Sequence, residues 1–201
     1  MEIVKQGIDV SEWDGAILWN KVKTDFAIIR LGFGTCDETH RDKFFTANVR
    51  GCIENKIPFG VYIYSYAKTP KQLLSEIVHA KTRLAGINGK PFAVFIDMED
   101  KSTKEVGKRT LTEYAIEFCK QLKDAGYRAG VYANENWFKN HLDVAKIANA
   151  GNVIWCAKYS TKMPEIDAKC DIWQYTSDGK MTGFPTDRID LNYMYTDLLG
   201  S

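Results

Sequence analysis

Residues 91–133, PFAVFIDMEDKSTKEVGKRTLTEYAIEFCKQLKDAGYRAGVYA, hold one complete strand-helix-strand pattern. Phe92–Glu99 is an apolar run of strand length and Arg128–Ala133 is a second one. Between them, Lys104–Ala125 has the apolar spacing of a long amphipathic helix, which Gly126 ends. Two strands joined by a helix are typical of a parallel β-α-β unit, so this segment predicts an α/β protein.

The same alternation precedes this segment. It predicts strands over 7–11, 26–34 and 59–67, and helices over 19–25, 42–56 and about 70–84. Thr69 is the expected N-cap of the third of these helices, with Pro70 at its first position.

After residue 133 the pattern becomes shorter. One helical piece at 137–150 is followed by strands at 153–159, 171–176 and 189–195, with little room for helices between them. Eight strands, of which the last three are nearly without helices, predict an irregular TIM-like (β/α)5(β)3 barrel that forms a single domain over residues 1–201. A doubly wound open sheet is the alternative, but Asp9-Val10-Ser11-Glu12-Trp13 stands where its glycine-rich phosphate loop would be.

Charge and composition narrow the choice of partners. The chain of 201 residues has 27 Lys+Arg against 26 Asp+Glu, a net charge of +1, without a long run of one sign. We therefore expect no nucleic-acid or membrane partner. We also expect a monomer. The N-terminus does not resemble a secretory signal, so synthesis in the cytoplasm is expected.

The metal-binding residue types are scattered along the chain. The five cysteines are an odd number without a C-x-x-C pair, and the three histidines lie far from one another. This spacing predicts free thiols, no metal site and no cofactor.

Carboxylates close the predicted strands. In a barrel strand alternate residues face the interior, and catalytic groups lie at the strand ends, so Asp97 and Glu99 are expected to point together into the mouth, ~6.6 Å apart along the backbone. Asp9 ends the first strand and Asp190 lies on the last, with Asn192 on the same face. First and last strands are neighbours in a closed barrel, so all four carboxylates should surround one pocket. Such a pair of carboxyl groups suits glycosidic bond cleavage, although each Asp could instead cap a helix or bind a loop amide.

Aromatic residues follow the same strands and suit a carbohydrate groove. We expect Tyr62, Tyr64, Tyr132, Tyr159 and Tyr175 at the mouth, and Trp173, Tyr66, Met98 and Cys156 in the core. Arg30 is expected to pair with a mouth carboxylate or, equally, to form a structural salt bridge.

The chain resembles the family 25 glycoside hydrolases, lysozymes of bacteria, fungi and bacteriophages. The matching motifs occur in the family's order and cover nearly the whole chain: Gly7-Ile8-Asp9-Val10-Ser11, Asp42/Phe45/Asn48, Gly60-Val61-Tyr62-Ile63-Tyr64, Ile96-Asp97-Met98-Glu99, Gly130-Val131-Tyr132, Trp155-Cys156-Ala157-Lys158-Tyr159, Trp173-Gln174-Tyr175 and Asp190-Leu191-Asn192. One departure is Gly32-Phe33-Gly34, where many members have Thr-Glu-Gly.

The resemblance implies a muramidase that hydrolyses the β-1,4 bond between N-acetylmuramic acid and N-acetylglucosamine in peptidoglycan glycan strands. Glu99 would be the general acid, and Asp97 would stabilise an oxazolinium intermediate or act as nucleophile. Asp9 and Asp190 would position the sugar and tune Glu99. Strand parity and these motifs together give the candidate substrate-binding residues, which are Arg30, Tyr62, Tyr64, Tyr132, Trp155, Tyr159, Gln174, Tyr175 and Asn192.

Two other functions are compatible with these motifs. A family 18 chitinase-like enzyme also has a D-x-E strand, but Phe92 and Phe95 stand where its two upstream aspartates would be. A non-catalytic carbohydrate-binding barrel would normally have lost one of the acids. Peptidoglycan lies outside the membrane, so the implied site of action is the cell wall, reached by release at phage lysis or with a signal peptide that this sequence lacks.

Overall fold

Eight strands close into one barrel in the computed structural model, which describes residues 2–200. The strands are β1 Lys5–Val10, β2 Phe26–Phe33, β3 Phe59–Tyr64, β4 Val94–Asp97, β5 Ala129–Asn134, β6 Val153–Ala157, β7 Ile172–Gly179 and β8 Ile189–Met194. Each strand pairs with the next one along the chain, and β8 pairs back with β1. This closure confirms the predicted single-domain irregular barrel and excludes the open sheet.

Five α-helices lie around the barrel, between β2 and β6. They are α1 Phe45–Glu54, α2 Pro70–Ala85, α3 Lys108–Asp124, α4 Glu135–Asn140 and α5 Val144–Asn149. Short 3-10 turns at Glu12–Asp14 and Trp19–Lys21 take the place of a helix after β1. Within residues 2–200, no helix is long and apolar enough to cross a bilayer.

The helix boundaries follow local chemistry. Thr69 caps α2 as predicted, since its hydroxyl accepts from Gln72 N at 3.3 Å while the Gln72 side chain accepts from Thr69 N at 3.1 Å. The predicted helix over 104–125 is divided, because Gly107 has a positive φ of 88° between a 3-10 turn at Lys101–Val106 and α3. The predicted piece at 137–150 is likewise two helices, α4 and α5.

Strand β8 has a direction that the sequence did not indicate. It is antiparallel to both β7 and β1, whereas all other neighbours are parallel. A parallel connection needs a crossover of a dozen or more residues, and the loop 180–188 is too short for one. The mouth therefore lies at the beginning of β8 rather than at its end, so Asp190 is at the rim and Asn192 lies one inward-facing position deeper.

Aromatic side chains fill the barrel interior. The Trp155 ring lies 5.3 Å from that of Phe95 and 4.4 Å from that of Tyr132, measured between centroids, and Phe26 is fully buried in the same cluster. The interior is therefore a packed core and not an open channel.

Three of the four residues expected in the core lie there. Met98, Cys156 and Trp173 are buried in the layer outside the strands, and all five cysteines are free. The expectation for Tyr66 was wrong: β3 ends at Tyr64, and Tyr66 lies in the loop before α2 with 43% of its surface exposed.

Candidate active site

A cavity of about 290 Å³ lies where the parallel strands end. Asp9, Asp97, Glu99 and Asp190 all line it, so the four carboxylates converge as predicted. Asp14 and Arg30 also line this cavity, so five carboxyl groups face one guanidinium in its wall although the whole chain has a net charge of only +1.

Glu99 is held by one residue of the neighbouring strand. Its Oε2 accepts hydrogen bonds from Asn134 N at 3.2 Å and from Asn134 Nδ2 at 2.8 Å. Asn134 ends β5 and also caps α4, because its Oδ1 accepts from Trp137 N at 3.1 Å. The rotamer of the carboxyl group is thus fixed by a residue that the helix itself holds in place.

Burial raises the pKa of Glu99, and the two hydrogen bonds from Asn134 oppose that rise because they favour the carboxylate. Burial also raises the pKa of Asp97, with the negative charges of Glu99 and Asp9 acting in the same direction and Arg30 against them. Two neighbouring carboxyl groups with raised pKa values can divide an acid and an anionic role between them.

Asp97 has one unsatisfied oxygen. Its Oδ1 is buried and has no hydrogen-bond partner among the described residues, although Asp97 lines the cavity. A buried carboxyl oxygen without a donor is unfavourable, so the Asp97 carboxyl group can gain a hydrogen bond by binding a proton or an N–H or O–H group of a ligand in the cavity.

Amide groups surround Asp9. Gln174 Nε2 donates to Asp9 Oδ1 at 3.1 Å and to Oδ2 at 2.9 Å, and Asn192 Nδ2 donates to Oδ2 at 2.7 Å. The amide oxygens are also used: Gln174 Oε1 accepts from the hydroxyl groups of Tyr132 and Tyr159, and Asn192 Oδ1 accepts from Trp155 Nε1 at 2.8 Å. One network therefore joins residues of β1, β5, β6, β7 and β8 at the mouth.

Asp190 lies directly opposite Asp9 in the β1–β8 ladder. Burial, followed by the charges of Asp14 and Glu99, raises the pKa of Asp190 to about 7. Burial and the charge of Asp190 also raise the pKa of Asp9, against the hydrogen bonds from Asn192 and Gln174.

Arg30 forms the structural salt bridge that the sequence left open. Its Nε lies 2.9 Å from Asp42 Oδ2, and its Nη2 lies 2.9 Å from Glu12 Oε1. It lines the cavity without an ion pair to any of the four mouth carboxylates, and it acts on Asp97 only through space.

The other expected binding residues fall into three groups. Tyr62, Tyr64, Tyr132 and Tyr159 line the cavity. Trp155 and Gln174 also line it, although both are almost fully buried, and Asn192 lies buried beneath it, where it supports Asp9. Tyr175 is a correction: it stacks on Tyr193 at 3.9 Å on the outer face of β7, because Gln174 takes the inward position and strand neighbours alternate.

Sequence reasoning missed Asn134, Asp14 and Trp13. Asn134 ends a strand beside a helix start, which is a usual place for a cap, and its contact with Glu99 depends on the β4–β5 register. Asp14 and Trp13 lie in the loop that follows β1. Because functional groups of β/α barrels lie in the loops after the strands, this position could have indicated both residues.

A second cavity of about 270 Å³ adjoins the first. It shares Glu99, Tyr132 and Tyr159 with that cavity and continues to Asn134 and Lys158. Glu99 therefore belongs to the wall of two neighbouring spaces. Within residues 2–200, no three His, Cys, Asp or Glu side chains are grouped so that they could hold a metal ion.

The raised pKa of Asp190 predicts how the stability of the protein depends on pH. Burial opposes ionisation in the folded state, so the stabilising contribution of this group is complete below its ordinary pKa near 3.8 and is lost as pH rises to about 7. Asp190→Asn should therefore stabilise the protein relative to wild type progressively more between pH 4 and pH 7.

Urea unfolding of both proteins across this pH range measures that difference. Asp124→Asn, at an exposed aspartate that ends α3 on the opposite side of the barrel, is the matched control and should show no comparable trend. A stability difference between Asp190→Asn and wild type that stays constant from pH 4 to pH 7 would contradict the assignment.

Comparison with known proteins identifies the family of this chain. The sequence model of the family described as Glycosyl hydrolases family 25 matches residues 8–184. The autolytic lysozyme of Clostridium acetobutylicum is 25% identical over 183 residues, which cover 89% of this chain and 52% of that protein. The chain thus spans about half the length of this curated relative.

Solved structures share the fold. The modular autolysin LytC from Streptococcus pneumoniae matches with a TM-score of 0.81 and 25% identity, over 95% of this chain and 46% of LytC. The catalytic domain of endolysin ply40 from bacteriophage P40 of Listeria monocytogenes matches with a TM-score of 0.83 and 23% identity, over 99% of this chain and 97% of that domain. Since the family model covers most of the chain, the protein belongs to glycosyl hydrolase family 25.

Proposed function

We propose that this chain is the catalytic domain of a muramidase, which hydrolyses the β-1,4 bond between N-acetylmuramic acid and N-acetylglucosamine in peptidoglycan. The observation that carries the proposal is the pairing of Glu99, whose pKa burial raises, with Asp97, whose Oδ1 has no partner among the described residues. One group can supply a proton, and the other offers an acceptor at the same cavity.

Glu99 is the general acid in this proposal. Its carboxyl proton passes to the glycosidic oxygen as the bond from that oxygen to the anomeric carbon breaks, so the leaving sugar departs as a neutral alcohol. Asn134 holds Glu99 Oε2 on the far side of the carboxyl group, which leaves Oε1 for the substrate.

Asp97 stabilises the positive charge that develops on the donor sugar. The acetamido oxygen of that sugar bonds to the anomeric carbon and forms an oxazolinium ion, while the Asp97 carboxylate accepts the N–H of the same group. Direct attack by Asp97 on the anomeric carbon is the alternative route. The carboxyl group of Asp97 lacks a full set of donors among the described residues, so it can accept a hydrogen bond from that N–H.

The second half of the reaction uses Glu99 in its other protonation state. After the first step its carboxylate takes a proton from water, and the oxygen of that water bonds to the anomeric carbon and opens the oxazolinium ring. Two inversions at the anomeric carbon give net retention, and Glu99 regains its proton. Asp9 and Asp190 position the donor sugar, while burial raises the pKa of Glu99.

The relatives support peptidoglycan as the substrate. The match to LytC includes a structure of that autolysin in complex with a synthetic peptidoglycan ligand, with a TM-score of 0.79 and 25% identity over 95% of this chain and 46% of LytC. A peptidoglycan substrate implies that this protein acts on the bacterial cell wall.

Two other functions are less well supported. A chitinase-like enzyme would need two more aspartates on β4 and just before it, where Phe95 and Phe92 pack instead. A carbohydrate-binding barrel without activity would not need four converging carboxylates, whose burial is unfavourable.

Glu99→Gln should abolish catalysis without loss of the fold. Glutamine preserves the shape and can still bond Asn134, but it cannot donate a proton of suitable pKa, so release of reducing ends from purified peptidoglycan should fall by ~2 orders of magnitude or more. Glu113→Gln, at an exposed glutamate of α3, is the matched control and should keep wild-type activity. Undiminished release by Glu99→Gln would disprove its role.

Asn134→Ser should move the pH profile of the reaction. Serine can still cap α4, but it removes the Nδ2 donor that favours the Glu99 carboxylate. The pKa of Glu99 then rises, the acid stays protonated to higher pH, and the alkaline limb of kcat/KM should shift upward by ~0.5–1 pH unit.

Asn136→Ser provides the control for this shift, because Asn136 bonds only Asn140 of the same helix. Its pH profile should match that of wild type. An alkaline limb that stays in place or moves downward in Asn134→Ser would refute the proposed contact.

A further inference from the structure

Trp13 differs from every other tryptophan of the chain in its exposure. The relative exposure of Trp13 is 79%, whereas the other four tryptophans, Trp19, Trp137, Trp155 and Trp173, are exposed by 6% or less. Large apolar side chains are normally buried, and an exposed one at the rim of a cavity requires an explanation. Trp13 lines the same cavity as Asp9, Asp97 and Asp190.

The loop that carries Trp13 is held rigidly. Ser11 Oγ accepts from Trp13 N at 3.3 Å, and Ser11 N donates to Asp14 Oδ2 at 2.8 Å, which completes a capping box. Glu12 is fixed twice, by Asp42 Oδ2 at its backbone N–H and by Arg30 at its side chain. The backbone is therefore ordered before any ligand binds, while the indole points to solvent.

The two cavities define the direction of a bound glycan. Glu99 must contact the oxygen of the cleaved bond, and it lies in the wall that both cavities share. Asp97 lines only the first cavity, so the donor sugar occupies that one and the leaving sugar the second. Trp13 also lines only the first cavity and therefore lies on the donor side.

We propose that the Trp13 indole is a stacking platform for the sugar that precedes the donor sugar, an N-acetylglucosamine on the non-reducing side of the cleaved bond. This inference rests on the proposed muramidase function and assigns a further sugar-binding position to the same mouth. A pyranose ring presents an apolar face of C–H groups, which packs against a flat indole, and its edge hydroxyls remain in water. Because the loop is already ordered, stacking costs little further conformational entropy.

Fluorescence can test this contact directly, because Trp13 is the one exposed tryptophan of the five. The probe is the tetrasaccharide of alternating N-acetylglucosamine and N-acetylmuramic acid, added to Glu99→Gln so that it is bound and not hydrolysed. We expect a blue shift of the emission and protection from acrylamide quenching. Both changes should be absent in Glu99→Gln/Trp13→Phe.

Calorimetry gives the matching affinities. Trp13→Ala in the Glu99→Gln background should weaken binding of the tetrasaccharide by about tenfold, and Trp13→Phe should restore most of the affinity, because a phenyl ring preserves a smaller apolar face. Leu74→Ala, at an apolar side chain of α2 that is 58% exposed, should leave the affinity unchanged.

The outcomes separate this inference from the proposed function. If calorimetry shows binding while the emission and quenching of Trp13 stay unchanged, the platform is disproved and the muramidase function stands. If wild type releases no reducing ends from peptidoglycan and Glu99→Gln binds no tetrasaccharide, both are disproved. Equal affinity of Trp13→Ala and its parent likewise overturns the platform.

Discussion

The burial of four carboxyl groups around one cavity is the constraint on which the rest of the mouth depends. Each negative charge there is partly removed from water and repels the others, so the folded protein needs donors to hold them in place. Asp9 receives three hydrogen bonds from Gln174 and Asn192, while Glu99 receives two from Asn134. Asp97 lacks a partner at Oδ1 among the described residues. Asp97 can therefore accept a hydrogen bond from the substrate.

The direction of β8 and the short connection before it determine which donors reach which carboxyl group. Because the connection 180–188 is short, β8 runs antiparallel, which brings Asp190 to the rim beside Asp9 and Asn192 beneath it. Asn192 can then bond both Asp9 and Trp155, so the network at the mouth continues into the aromatic interior. The missing helices after β6 and β7 thus have a consequence for the site, and not only for the size of the barrel.

Much of this arrangement could be predicted from residues that obey local rules. Thr69 and Pro70 mark the start of α2, the alternation of β4 places Asp97 inward, and closure of the barrel brings Asp9 to Asp190. Aromatic character alone suggested that Tyr175 lies at the mouth. It directly follows the inward-facing Gln174, so its side chain points to the other face of β7. The antiparallel direction of β8 and the bond from Asn134 to Glu99 depend on contacts between distant segments, which no local pattern encodes.

The central claim is that Glu99 and Asp97 cleave next to N-acetylmuramic acid with retention. The most direct test is digestion of purified peptidoglycan, with the new reducing-end sugar identified by borohydride reduction and mass spectrometry and its first-formed anomer by proton NMR. The account predicts N-acetylmuramic acid at the new ends, formed first as the β-anomer. New ends of N-acetylglucosamine, or a first-formed α-anomer, would contradict it.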